Sequence, residues 1–235
     1  MTPYDKLLAR KRTWTPVQVE AGKVVEGSEE TIYRALALRH MELPVGDFIN
    51  DALTGEVPDA SRELLVSNVK DEENHDVALG YIANAYGTDP KAEREALLLR
   101  EAWTSHPDHT ITKAMVAERA IFFVLLPFFR ANGDAGMRTT SADISRDEQV
   151  HVATNSLIHR EMGLDISPSL DKLRKATIQW VMEPLKGREK LDKKFWLNSS
   201  DRLMYEGKAT ELSFTQSARM PAFFEHSNVN LPQYA

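Results

Sequence analysis

Two Glu-x-x-His motifs, Glu72-Glu73-Asn74-His75 and Glu148-Gln149-Val150-His151, each lie in the middle of a long helix-forming stretch, and they limit what this chain can become. Residues three apart on a helix share a face, so each pair can offer a carboxylate and an imidazole to one metal ion. With 20 glutamates and 7 histidines among 235 residues, chance would supply fewer than one such pair. Two helices that turn these pairs inward need two more helices to enclose them. In four-helix bundles that hold a metal pair, each of those adds a glutamate.

The remaining sequence agrees with an all-α chain. No period-two alternation is bounded by hairpin turns, so no strand is expected. Ser28 offers an N-cap to a helix running to about residue 53, with Glu29 and Glu30 in its first turn and a kink at Pro44. A turn over 54–58 leads to a helix over about 59–86, stopped by Gly87. Asp89 and Pro90 open a short helix that ends near residue 105. After the break at His106-Pro107-Asp108, a strongly apolar helix spans about 110–131 and stops at Asn132-Gly133. Another spans about 135–162, closed by Gly163. Two or three helices are expected over 168–207. Residues 1–26 read as an irregular arm and 213–235 as an extended tail. No linker rich in Pro, Gly or Ser divides the chain, so one domain over 1–235 is expected: a ferritin-like four-helix bundle with additional C-terminal helices.

The two missing carboxylates can be placed. Glu118 lies in the stretch from Val116 to Val124, otherwise apolar except for Arg119, and Ile121, Phe122 and Leu125 share its face. A charge there is costly unless paired or bound to metal. The hairpin centred near residue 56 puts Glu72 opposite about residue 40, and Glu42 is the nearest carboxylate. His40 is also close, as a structural histidine or a group behind a ligand. The expected set is Glu42, Glu72, His75, Glu118, Glu148 and His151. Four carboxylates and two imidazoles suit two ions of iron, manganese or both.

Composition narrows the function further. The chain has no cysteine, which removes disulfides, thiolate metal sites and thiol catalysis, and fits a cytoplasmic protein. A net charge of -6 argues against nucleic acid as a partner. The N-terminus lacks the apolar core of a signal peptide. The longest apolar run, Ala120 to Phe129, contains Pro127 and is about half the length needed to cross a bilayer, so no membrane association is expected.

With the ligands placed, the chain resembles the small, radical-generating subunit of class I ribonucleotide reductase. Arg146-Asp147-Glu148 followed by His151 is similar to that family's second ligand motif. Trp14-Thr15-Pro16-Val17-Gln18-Val19-Glu20 looks like its Trp-x-Pro segment. Phe223-Phe224-Glu225 followed by Tyr234 resembles its tail, and the stretch from Glu42 to Ile49 aligns with its first ligand. The resemblance implies a homodimer whose metal pair stores an oxidising equivalent and passes it to a separate large subunit, which reduces ribonucleotides to deoxyribonucleotides. The lack of cysteine agrees, since the nucleotide-reducing subunit needs a thiyl. It also implies that Asp147 orients His75, that Trp14 hydrogen-bonds Asp147 and relays the electron, and that Tyr234 carries it across the subunit interface.

Two departures shape the expectation. The usual radical tyrosine stands four residues after the first ligand histidine, where this chain has Leu79; Tyr81 and Tyr86 are offset from that position. Family branches without this tyrosine keep the equivalent on the metals, often with manganese. The chain is also short for the family, with only Ala235 after Tyr234. Length and Leu79 favour an alternative, a ferritin-like di-iron oxygenase similar to aldehyde-deformylating oxygenases, whose motif around Asp147 and Glu148 is alike. The segments around Trp14 and Tyr234 do not favour it. A third possibility is an iron-binding protein with no substrate.

Overall fold

In the computed structural model, which describes residues 2–185 and 192–206, every regular element is helical. In chain order these are α1 (Pro3–Leu8), α2 (Glu29–Ala37), α3 (Glu42–Thr54), α4 (Arg62–Tyr86), α5 (Pro90–Thr104), α6 (Thr110–Ala117), α7 (Phe123–Asn132), α8 (Ala135–Glu161), α9 (Pro168–Met182) and α10 (Lys193–Glu206). Four rods form the bundle: α3, α4, α8, and the rod made by α6 and α7. Helix α3 packs on α4 and α6, while α8 packs on α4, α6 and α7. Short turns join α3 to α4 and α7 to α8, so each pair is antiparallel, and one long connection through α5 links the hairpins.

Turn chemistry sets these connections. Asp89 accepts from the amides of Lys91 and Ala92 and caps α5, with Pro90 at the first helical position. Gly87 ends α4 at φ 95°, where a side chain would be strained. At Gly133 a Cβ would lie 2.5 Å from the Phe129 carbonyl oxygen and 2.6 Å from the Met137 Cβ, so the tight α7–α8 turn requires glycine.

Ile32, Leu36, Ile49, Leu65, Ile111, Val116, Phe128 and Ile144 fill the core, each essentially sealed from water. Each such side chain contributes about 1.5–3 kcal/mol by leaving water. Helix α10 packs on α7 and on α9, which itself packs on α2 and α6. Trp103 is fully buried, and its Nε1 donates to Thr177 Oγ1 at 3.0 Å, tying α5 to α9.

The structure departs from the sequence expectations in four places. The first long helix is broken into α2 and α3 by a 3₁₀ turn, Leu38–Met41. Pro44 has no N–H for the His40 carbonyl and its ring would crowd that oxygen, so the chain tightens there and Pro44 falls in the first turn of α3. The apolar helix is broken by a π turn, Glu118–Phe122, where the Phe123 amide reaches back five residues to the Glu118 carbonyl. The arm is not wholly irregular: Thr2 and Asp5 form a capping box around Pro3 and start α1, which packs on α4 and α8. Ser28 stands at the N-cap of α2, but its hydroxyl donates to the Val25 carbonyl rather than capping. The expected tail 213–235, and Tyr234 with it, lie outside the described residues.

Candidate metal centre

The helices bring six side chains to one buried place. Glu42 is the first residue of α3, at the positive end of the helix. Glu72 and His75 project from the middle of α4, Glu118 from the first position of the π turn, and Glu148 and His151 from the middle of α8. All six are at most 1% exposed. His75 Nδ1 lies 3.7 Å from Glu42 Oε2, 3.5 Å from Glu72 Oε2 and 3.4 Å from Glu148 Oε1. His151 Nδ1 lies 2.9 Å from Glu72 Oε1, 3.7 Å from Glu118 Oε1 and 3.9 Å from Glu148 Oε2. Glu72 and Glu148 thus turn one oxygen toward each histidine, whereas Glu42 serves the His75 side and Glu118 the His151 side. Donor atoms of Glu42, Glu72, His75 and Glu148 lie within 4.8 Å of one another, as do those of Glu72, Glu118 and His151, so either group could hold a metal ion.

Each histidine is braced from behind by an aspartate of the other helix. His75 Nε2 on α4 lies 3.3 Å from Asp147 Oδ2 on α8, and His151 Nε2 on α8 lies 2.9 Å from Asp71 Oδ2 on α4. Such a contact fixes the tautomer that leaves Nδ1 free to bind metal. Sequence reasoning missed Asp71. Its signal was there: an aspartate precedes the glutamate of both motifs, Asp71-Glu72 and Asp147-Glu148. Asn155, one turn after His151, was also missed; its Nδ2 donates to Glu118 Oε2 at 2.7 Å.

The arm closes the site from outside. Trp14 Nε1 donates to Asp147 Oδ2 at 2.6 Å, and the indole lies over the His75 ring, 6.3 Å between centroids and 28° between planes. Arg12 reaches Asp147 at 3.4 Å and Asp143 at 3.0 Å, and its guanidinium sits 5.7 Å above the Trp14 ring. His40 does not stand behind a ligand: it pairs with Glu93 at 2.6 Å and, with Arg39, ties the 3₁₀ turn to α5. Leu79 is buried one turn after His75.

The electrostatics suit cations. Burial, with Glu72 and Glu148 alongside, pushes the Glu42 carboxyl well above the usual range; burial and Glu148 do the same to Glu118, and burial and Glu72 raise Glu148. Burial would raise Glu72 too, but the two histidines beside it, His151 at 2.9 Å and His75 at 3.5 Å, hold it below the usual range. Burial would lower both imidazoles, yet the carboxylates outweigh it: Asp147 leads in raising His75, and Asp71 and Glu72 raise His151 to about 10. Eight buried atoms of the six side chains have no hydrogen-bond partner: Glu42 Oε2, Glu118 Oε1, both oxygens of Glu72 and Glu148, and Nδ1 of His75 and His151. Each orphan would cost about 1–3 kcal/mol. Four glutamates match the charge of two divalent cations, while Lys11 and Arg12 offset Asp71 and Asp147. The residues present therefore fit a metal pair.

No family model matches the chain, and no curated protein matches it in sequence. Among solved structures it is similar to a Bacillus halodurans protein provisionally assigned as a class I ribonucleotide reductase, with a TM-score of 0.62 and 13% identity, over 95% of this chain and 97% of that one. The likeness extends over the whole bundle and shows a shared all-α, ferritin-like fold. No described helix is long and apolar enough to cross a membrane.

Proposed function

We propose that this chain is the radical-generating small subunit of a class I ribonucleotide reductase, with a metal pair held by Glu42, Glu72, His75, Glu118, Glu148 and His151. The observation that carries the proposal is the contact from Trp14 through Asp147 to His75. One carboxylate oxygen accepts the indole N–H and faces the imidazole, so a half-buried, oxidisable ring is joined to the ligand set through hydrogen bonds. An enzyme whose substrate enters beside the metals has no need of such an exit. Bound iron or manganese would supply the oxidising equivalent. Trp14 would take over that equivalent by giving the site one electron, and Asp147, 2.6 Å from Nε1, would accept the indole proton. The resemblance adds a homodimer, a separate large subunit and Tyr234 as the next carrier. The test is reconstitution: the metal-loaded chain alone should reduce no ribonucleotide, and turnover should start when a class I large subunit is added. Nucleotide reduction by this chain alone would refute the assignment.

The position four residues after His75 sets a second expectation. Leu79 offers no oxidisable group, and Tyr86 packs instead against Tyr33, 5.2 Å between ring centroids. No tyrosyl radical should form beside the metals, and the stored equivalent should stay on a metal pair that contains manganese. Electron paramagnetic resonance checks this: a tyrosyl signal abolished by Tyr81→Phe or Tyr86→Phe would be the contrary result.

Loading should depend on pH. Without metal, protons occupy the site, because Glu42, Glu118, Glu148 and both imidazoles have raised pKa values. Metal must displace them, so affinity should tighten as pH rises from about 6 to about 8 and loading should release protons. Manganese titration in weak buffer with a pH indicator measures both. Uptake without proton release would count against the cluster as the binding site.

A further inference from the structure

The two histidines are backed by different chemistry. Behind His75, Asp147 meets Trp14 and Arg12. Behind His151, Asp71 meets Lys11, whose Nζ donates to Asp71 Oδ2 and, at 3.0 Å, to Asn68 Oδ1. The Lys11 and Asp71 side chains keep only 10% and 9% of their exposure, so this ion pair is largely out of water. Removing one partner of such a pair is far more damaging than removing an exposed charge. Residues 11–14 of the arm thus touch both aspartates that brace the histidines.

Resting on the metal-pair reading, we propose that Lys11 is the positioning residue for the ion on the His151 side, and that it makes this branch a closed end for the oxidising equivalent. Asp71 can hold the proton of His151 on Nε2, and so keep Nδ1 free for metal, only while its own carboxylate stays aligned. Lys11 pins that carboxylate from the far side. Lys11, which meets Asp71 from outside, and Asn68, which accepts from Lys11, are not oxidisable, so neither can supply an electron. The equivalent branch at Asp147 ends on Trp14, which can supply one. Of the two aspartate branches, the one at Asp147 alone ends on an oxidisable ring among the described residues, and the same few residues of the arm set both.

Simple anchoring of the arm predicts something different. Arg12 and Trp14 ride on the segment that Lys11 would anchor, so a loosened arm would weaken both ions together. The test is manganese(II) titration of the full chain, following free ion by paramagnetic resonance. Lys11→Met should weaken one of two ions by about 10- to 100-fold and leave the other within about twofold. Lys11→Arg should restore most of the loss, because a cation again faces Asp71. Asp71→Asn should mimic Lys11→Met, and the double variant should be little worse than either single one, since both act through one carboxylate. In a His151→Ala background, where the His75-side ion is the one to be retained, Lys11→Met should change nothing. Equal weakening of both ions, no weakening of either, or full additivity with Asp71→Asn would overturn the role of Lys11 and leave the metal pair standing. A wild-type chain that takes up no manganese would overturn both.

Discussion

Glu148→Ala and His151→Ala should each leave the chain unable to hold at least one of its two metal ions. The two changes act differently. His151 offers one nitrogen and serves one side of the cluster, so its loss should remove the ion near Glu118 and spare the ion near Glu42. Glu148 turns one oxygen toward each histidine, 3.4 Å from His75 and 3.9 Å from His151, so its loss should weaken both positions. Neither variant needs to unfold. The bundle is held by apolar side chains from all four rods, and the wild-type site already concentrates buried polar atoms without partners. Removing one carboxylate also relieves repulsion among the others, so thermal stability of the metal-free chain should change by less than that of the loaded one. Metal analysis with unfolding curves measures both effects. Two ions at full occupancy in both variants would end the assignment of these six residues as ligands.

The ferritin-like architecture could be read from residue order because helix period and hairpin length are regular. Spacing of three puts Glu72 with His75 and Glu148 with His151, and counting back from the turn near residue 56 reaches Glu42. The structure brings these residues and Glu118, which its apolar neighbours single out, into one buried cluster. What could not be read depends on contacts without a period. The π turn at Glu118 is one added residue in a hydrogen-bond ladder, and the apolar run around it looks the same with or without it. Asp71 shows its role only once α4 and α8 are paired, because it serves the histidine of the other helix. Lys11 and Arg12 sit in an extended arm, where no repeat says which way a side chain points. A lysine in such an arm carries no sign in the sequence that it is buried, yet Lys11 is nearly so. Helix α1 did carry a legible signal, Thr2-Pro3 with Asp5 at the third helical position, though a six-residue helix has no apolar stripe to announce it.

Trp14→Leu and Tyr234→Phe should each remove nearly all ribonucleotide reduction while two metals stay bound. Neither residue is one of the six proposed ligands. Leucine at position 14 removes the ring that lies over His75 and the N–H that Asp147 accepts. Asp147 would keep its contacts with His75 and Arg12, and burial opposed by those partners should still hold its carboxyl below the usual range. The ligand histidine should therefore remain aligned while the electron source is gone. Losing the indole can also loosen the arm, which the Arg12 contacts to Asp143 and Asp147 resist, so metal content must be measured on the same sample. Tyr234→Phe is the cleaner change, because it deletes one hydroxyl and little volume. The two variants separate the steps. With Trp14→Leu, the oxidised site should form and persist, since nothing nearby refills it. With Tyr234→Phe, the equivalent should reach Trp14 and go no further. Stopped-flow absorption at the indole radical band, read beside steady-state turnover, distinguishes these two blocks. Normal turnover in Tyr234→Phe would take Tyr234 out of the pathway. Normal turnover in Trp14→Leu would leave the bond to Asp147 as packing of the arm, and an oxygenase that acts at the metals themselves would then be the better account of this bundle.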